Sequence, residues 1–266
     1  MNISMKYMVM LCCFIAFLSI PAFGASPMSL TASIPDLPGW AYLDNDGKPA
    51  GIFVDMYQAI AQEMGVTFQF HFVPFARLMK EAKEGGTDVI GIFRFDELQE
   101  HVDPIAPTVT VDFYLIGRAG NDLTPADFQQ IKRLGFTRGS EAMLTPVLEQ
   151  YKIQPVLEDV TNFEQLVRKL LADRNDVIAI DNFALSYLAQ QLGATRDQFG
   201  KPYLLAQNPI WFQFSKHSPN YRPEIVEQMR LAMNRLSQQG VFRKMVEQRK
   251  LMFPNNQPPS ADAGQE

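Results

Sequence analysis

The chain has 266 residues, with 24 Lys plus Arg against 29 Asp plus Glu and a formal net charge of −5. That mild acidity argues against nucleic acid as a partner. Its two cysteines, Cys12 and Cys13, both fall in the first apolar run, so the rest of the chain can form no disulfide, thiol nucleophile or cysteine metal site.

The amino terminus carries Lys6, then the apolar run MVMLCCFIAFLSI (8–20), then Ala22-Phe23-Gly24. This is the layout of a secretory signal peptide, expected over 1–24 with cleavage before Ala25. A membrane anchor is the other reading, but the run is shorter than the roughly 20 residues a spanning helix needs. Removing the leader takes out Lys6 and no acid, moving the net charge from −5 to −6. The far end, PNNQPPSADAGQE, is Pro-rich and polar and reads as a disordered tail over 254–266.

Between these ends the pattern alternates strand and helix. SLTAS (29–33) reads as a short strand, and a turn follows around Asp46-Gly47. VDMYQAIAQEMG (54–65) places Val54, Tyr57, Ile60, Ala61 and Met64 on one helical face, with Gly65 ending it. VTFQFHFV (66–73) alternates as a strand, FARLMKEAKEGG as a helix closed by two glycines, and DVIGIF as a further strand. This β-α-β-α-β order implies a mainly parallel sheet flanked by helices.

The section from about 120 to 208 repeats that order. Thr124-Pro125 opens a helix, RLGFTRGS runs from strand to turn, and Thr145-Pro146 is expected to interrupt or restart the next helix. PVLEDV reads as a strand, Thr161-x-x-Glu164 as a capping box, and DVIAIDNFALSYLAQQLG as strand then helix. The chain then returns through the aromatic strand NPIWFQFSKHS and two helices, RPEIVEQMRLAMNRLSQQG and VFRKMVEQRKLMF. Two similar α/β units joined by two crossings suggest two lobes with a cleft between them.

Several segments together resemble one family. They are WAYLDNDGKPAGIFVD leading to AIAQEMG, FARLMKEAKEGGTDVI, LGFTRGSEAML, FEQLVRKLLADRNDVIAID, and LAMNRLSQQGVFRKMVEQ. Their order and spacing are similar to the bacterial extracellular solute-binding proteins of family 3, the polar amino-acid type, over nearly the whole mature chain. The resemblance implies an α/β, two-lobed periplasmic-binding-protein-like fold of type II, two parallel-sheet lobes joined by two hinge strands. Lobe one would be 25–118 and 209–253, and lobe two 119–208. It further implies a monomeric periplasmic protein, not an enzyme. Such a protein would need no cofactor or metal, bind a small polar or zwitterionic metabolite in the cleft and serve an inner-membrane ABC permease. A ligand-binding partner of a membrane receptor and a cyclohexadienyl-dehydratase-like enzyme are the alternatives; the enzyme would need Asp181 or Glu141 as a general acid.

The same resemblance locates site residues. Aligning VDPIAP with the family's Val-Asp-Phe-Ser-x-Pro puts Leu98 where the family carries its carboxylate-clamping arginine, and Phe93, Arg94 and Phe95 where it carries small hydroxyl residues. Arg94 either pairs with Asp96 or Glu97 or faces an anionic ligand group, for which a guanidinium fork is suited; the expectation is that it faces Asp181 across the cleft. Asp181 stands where the family binds a ligand's amino group, and it also suits a helix N-cap. Arg138 and Ser140 flank a strand-to-helix turn whose backbone N–H groups could seat an anion, with Ser140 also suited to capping. Trp40 and Tyr42 match an aromatic first loop that could stack on a ligand or serve as core or lid. Arg77, at a helix start disfavoured by the dipole, is a ligand or surface cation. Trp211 and Phe212 read as core or hinge packing. His71, His101 and His217 have no spacing that suits a metal.

Overall fold

The computed structural model describes residues 27–138, 140–249 and 251–253. The expected leader (1–24) and tail (254–266) lie outside the described residues. In chain order the strands are β1 (Ser29–Pro35), β2 (Tyr42–Leu43), β3 (Pro49–Ala50), β4 (Thr67–Val73), β5 (Val89–Ile92), β6 (Val102–Gly117), β7 (Arg133–Thr137), β8 (Val156–Val160), β9 (Val177–Asp181) and β10 (Tyr203–Ser215). The helices are α1 (Ile52–Met64), α2 (Phe75–Glu84), α3 (Glu141–Tyr151), α4 (Phe163–Leu171), α5 (Asn182–Gln191), α6 (Pro223–Gln238) and α7 (Val241–Glu247). No helix among the described residues is long and apolar enough to cross a membrane.

Eight strands form one sheet in the order β4-β1-β5-β10-β6-β9-β7-β8. Within the first unit β1 pairs in parallel with β4 and β5, and within the second β7 pairs in parallel with β8 and β9. The long strands β6 and β10 run antiparallel to each other between the two units, with three irregularities in register, between Leu204 and Ala206, Pro209 and Trp211, and Phe212 and Gln213. Such bulges bend and twist a strand pair where it must change direction. These are the two hinge strands of the two-lobed, type II arrangement.

Each lobe buries its own apolar stripes. In lobe one, Ile52, Met56, Tyr57 and Ile60 of α1 pack with Met229 and Met233 of α6 on Leu30, Phe212 and Phe214. In lobe two, Leu166 and Leu170 of α4 and Leu185 and Leu188 of α5 pack on Ile116, Ile178 and Ile180. The strict alternation of 67–72 holds: Thr67, Gln69 and His71 are exposed, while Phe68, Phe70 and Phe72 are half-buried, because β4 is an edge strand.

Two local expectations are corrected, and a third is refined. Pro146 does not interrupt its helix; α3 runs through it, since a proline removes only one i→i−4 bond, and Thr145 Oγ1 donates to the Glu141 carbonyl beside it. The cap of α4 is Asn162, whose Oδ1 accepts the Gln165 N–H at 2.9 Å, one residue past the expected Thr161. Thr124 and Pro125 do open a helix with a capping box to Asp127, but it is a 3₁₀ segment, Pro125–Gln130. The chain end also departs from a simple two-lobe division. Leu251 packs on the lobe-one core, whereas Met252 N–H donates to Ser186 Oγ at 2.8 Å and Phe253 is buried in the lobe-two core.

Candidate functional site

Asp181 is the last residue of β9 and the N-cap of α5. Its Oδ1 accepts the backbone N–H of Phe183 at 3.0 Å and of Ala184 at 2.9 Å. A third donor reaches the same oxygen from the other lobe: Trp40 Nε1–H, at 2.9 Å. All three donors meet at Oδ1. The carboxyl is only 3% exposed. Burial pushes its pKa up to about 6, against the N–H bonds from Ala184, Trp40 and Phe183, which favour the anion.

Trp40 is held from both sides. Its carbonyl accepts the Phe53 N–H at 2.9 Å, and its own N–H donates to the Leu37 carbonyl. Gly51 lies against this loop at φ +112, where a Cβ would come 2.4 Å from the Trp40 oxygen, so only glycine fits. The indole then stacks on Phe183, ring centroids 4.1 Å apart, and on Phe53 at 4.9 Å. Tyr42 makes a second contact across the cleft, with Tyr187 of α5 at 4.9 Å. Phe93, just past β5, packs edge-on against Phe113 of β6 at 5.6 Å, and Phe113 is in register with Asp181. Trp40, Phe53 and Phe183 are themselves buried, so aromatic rings close over one buried carboxyl.

The structure brings Trp40 and Asp181 together and sets Phe93 beside them through Phe113. It does not bring the arginines there. Arg94 neither pairs with Asp96 or Glu97 nor meets the Asp181 carboxyl; its guanidinium lies over the Trp211 ring, 5.3 Å from the centroid. Glu97 is taken by Lys83 and Asp96 by Gln99, and the donor that reaches the Asp181 carboxyl from lobe one is the Trp40 indole. Arg77 pairs with Glu81 one turn along α2 at 2.7 Å, and Arg138 pairs with Asp159 at 2.6 Å, both on the surface. Glu81 is partly buried, which would raise its pKa, but the hydrogen bonds from Ser33 and Arg77 outweigh this and hold it below the usual range. Ser140 stands at the N-cap of α3, yet its Oγ donates to the Thr137 carbonyl at 2.7 Å and accepts no helix N–H.

Leu98, at the position of the absent arginine clamp, is fully buried against Leu78, Ile92 and Val102. Phe53, Phe113 and Phe183 were not anticipated as site residues. Phe183 had a signal, since it follows Asp181 by two positions at a helix start. Phe53 and Phe113 look like any alternating core aromatic until the lobes are placed together. A polar hollow of about 440 Å³ opens elsewhere on lobe two, beside Arg118, Asn121, Asp173 and Asp176. Its acids are already engaged, Asp173 by Arg118 and Asp176 by Arg133 and two backbone N–H groups.

The model of the bacterial extracellular solute-binding proteins, family 3, matches residues 31–248. The chain belongs to this family. No curated protein matches the sequence. Among solved structures, an ancestral arginine-binding protein bound to arginine is 22% identical with a TM-score of 0.66, over 85% of this chain and 100% of that one. The second substrate-binding domain of Lactococcus lactis GlnP, in an open conformation, is 19% identical with a TM-score of 0.64, over 87% and 98%. An ancestral amino-acid-binding protein described as a precursor of cyclohexadienyl dehydratase is 17% identical with a TM-score of 0.65, over 84% and 95%. At these identities the likeness concerns the fold. The family match makes this a solute-binding protein for a small molecule, of a family whose members work outside the cytoplasm.

Proposed function

We propose that this solute-binding protein captures a small amino-acid-like amine in the cleft and presents it to an inner-membrane ABC importer from the periplasm. The observation that carries this is the meeting of three protein donors, one of them from lobe one, on Oδ1 of the buried Asp181; in this reading a ligand ammonium takes the other carboxylate oxygen. A cationic donor would add ion pairing to the charge-assisted hydrogen bond that a buried carboxylate accepts. The rings of Trp40, Phe53, Phe93, Phe113 and Phe183 would surround the rest of the ligand. Of the three arginines expected at the cleft, Arg94 alone has no carboxylate within ion-pair distance among the described residues, so it is the cation left for an anionic ligand group. With Leu98 in place of the usual clamp, a standard α-amino acid carboxylate would be held less well than the amine. Family membership and the amino-acid-binding neighbours support this reading.

Thermal-shift screening of amino acids and simple amines, followed by calorimetry, tests it. A ligand that binds only the folded protein raises its melting temperature. If no amine stabilises the protein, or if a stabilising ligand binds Asp181→Asn unchanged, the reading falls. The dehydratase alternative would use Asp181, with its raised pKa, as the general acid. Turnover of prephenate or arogenate above background would decide for it.

A further inference from the structure

Two histidines 116 positions apart meet on lobe one, away from the cleft. His101 immediately precedes β6 and His217 follows β10 two residues on. The pairing of those strands ends at Val102 with Ser215, and continues as Lys216 N–H donating to the His101 carbonyl at 2.9 Å. The rings are inclined by 45° with centroids 5.4 Å apart, and His101 Nδ1 lies 3.3 Å from His217 Nε2.

That spacing has a chemical meaning. Imidazole nitrogens bind zinc at about 2.0–2.1 Å, so two of them at a tetrahedral angle stand about 3.4 Å apart. The geometry points to a two-histidine chelate, formed by His101 Nδ1 and His217 Nε2, for a borderline divalent ion such as Zn²⁺, Ni²⁺ or Cu²⁺. The same contact without an ion is an N–H···N hydrogen bond, and the ion takes the place of the shared proton. Hard ions such as Mg²⁺ and Ca²⁺ prefer oxygen donors and are not selected.

Both side chains hang from anchored backbone, so the spacing is built in. Gly85 lets the chain pass so near that a Cβ there would come 2.1 Å from the His217 oxygen. Ser218, the next residue, hydrogen-bonds Asp88 and is itself buried. On the other side His101 N–H donates to the carbonyl of Leu98, whose side chain is fully buried. The charged groups around the pair do not oppose a dication strongly. Lys216 Nζ is 3.5 Å from Asp103 Oδ1 and reaches the Glu100 carbonyl at 3.4 Å, so its charge is offset by Asp103. Among the described residues no group of three or more His, Cys, Asp or Glu is placed to hold a metal, so two protein nitrogens leave the remaining positions to water or an external donor. The bound ion would clip together the lobe-one ends of the two hinge strands.

Calorimetric titration of the tag-free protein with ZnCl₂, NiCl₂ and CuCl₂, alongside MgCl₂ and CaCl₂, tests this. The expected result is saturable binding of one transition-metal ion per chain, silence with Mg²⁺ and Ca²⁺, and a Cu²⁺ paramagnetic resonance spectrum with two-nitrogen splitting. His217→Ala and His101→Ala should each weaken binding by at least about tenfold, while His71→Ala, on exposed β4, leaves it unchanged. Melting in EDTA confirms that the variants fold. Absence of saturable binding to the native protein, or equal affinity in His217→Ala, overturns the proposal.

Discussion

Trp40→Phe is the most informative single change. Phenylalanine keeps a ring against Phe53 and Phe183 but removes the indole donor to the buried Asp181 carboxyl. That carboxyl titrates near 6 in the folded protein against 3.8 when free. Between these values the folded state binds a proton more tightly than the unfolded chain does. Stability from this group is therefore complete below 3.8 and is lost as the pH rises through about 6. Losing the indole N–H raises the pKa further, so the variant suffers most where the carboxyl must be ionised. A hydrogen bond to a charged group contributes about 1.5–3 kcal/mol and a neutral one about 1 kcal/mol. At pH 8 the deficit should be about 2 kcal/mol, or about 4–8 °C in melting temperature for a chain of this size. At pH 4.5 it should fall to about half. Differential scanning calorimetry of both proteins across this range measures it. A deficit that does not change with pH would refute the claim that Trp40 stabilises the ionised carboxyl.

Three further outcomes are expected. Asp181→Asn keeps an acceptor for the α5 N–H groups but removes the charge, and should weaken any cationic or zwitterionic ligand by more than about tenfold, read by calorimetry. Gly51→Ala places a Cβ on the Trp40 carbonyl in a backbone conformation that side chains avoid, and should cost about 2–4 kcal/mol in denaturant melts. Phe253→Ala opens a cavity among Tyr114 and the lobe-two helices and should cost about 3 kcal/mol, whereas a loss under about 1 kcal/mol would show that the buried ring is not packed as described.

The order of elements was legible because each helix and strand carries its own period, and because Gly65, Gly193 and Thr124-Pro125 punctuate them. Leu98 was also legible as a departure from the family, since a leucine after a buried strand has little choice but to join the core. The site itself was legible in part. Asp181 and Trp40 could each be placed, but their direct bond could not, because it joins residues 141 positions apart through the relative placement of two lobes. Arg94 shows the same limit: nearby acids in sequence suggested an ion pair, while the fold put Trp211 within its reach instead. The pair of His101 and His217 escaped for the simplest reason, that strand pairing and not spacing brings them together.

The last described residues bear on how the lobes can move. Two adjacent strands define an axis about which two bodies can turn with little resistance. Leu251 on one body and Phe253 in the other add a third point of attachment, and Arg196 covers the Phe253 ring at 4.1 Å. Three attachments behave as a sprung joint where two would behave as a free one. Any wide opening must stretch or release this strap, so the segment from Leu251 to Phe253 acts as a stop on the swing.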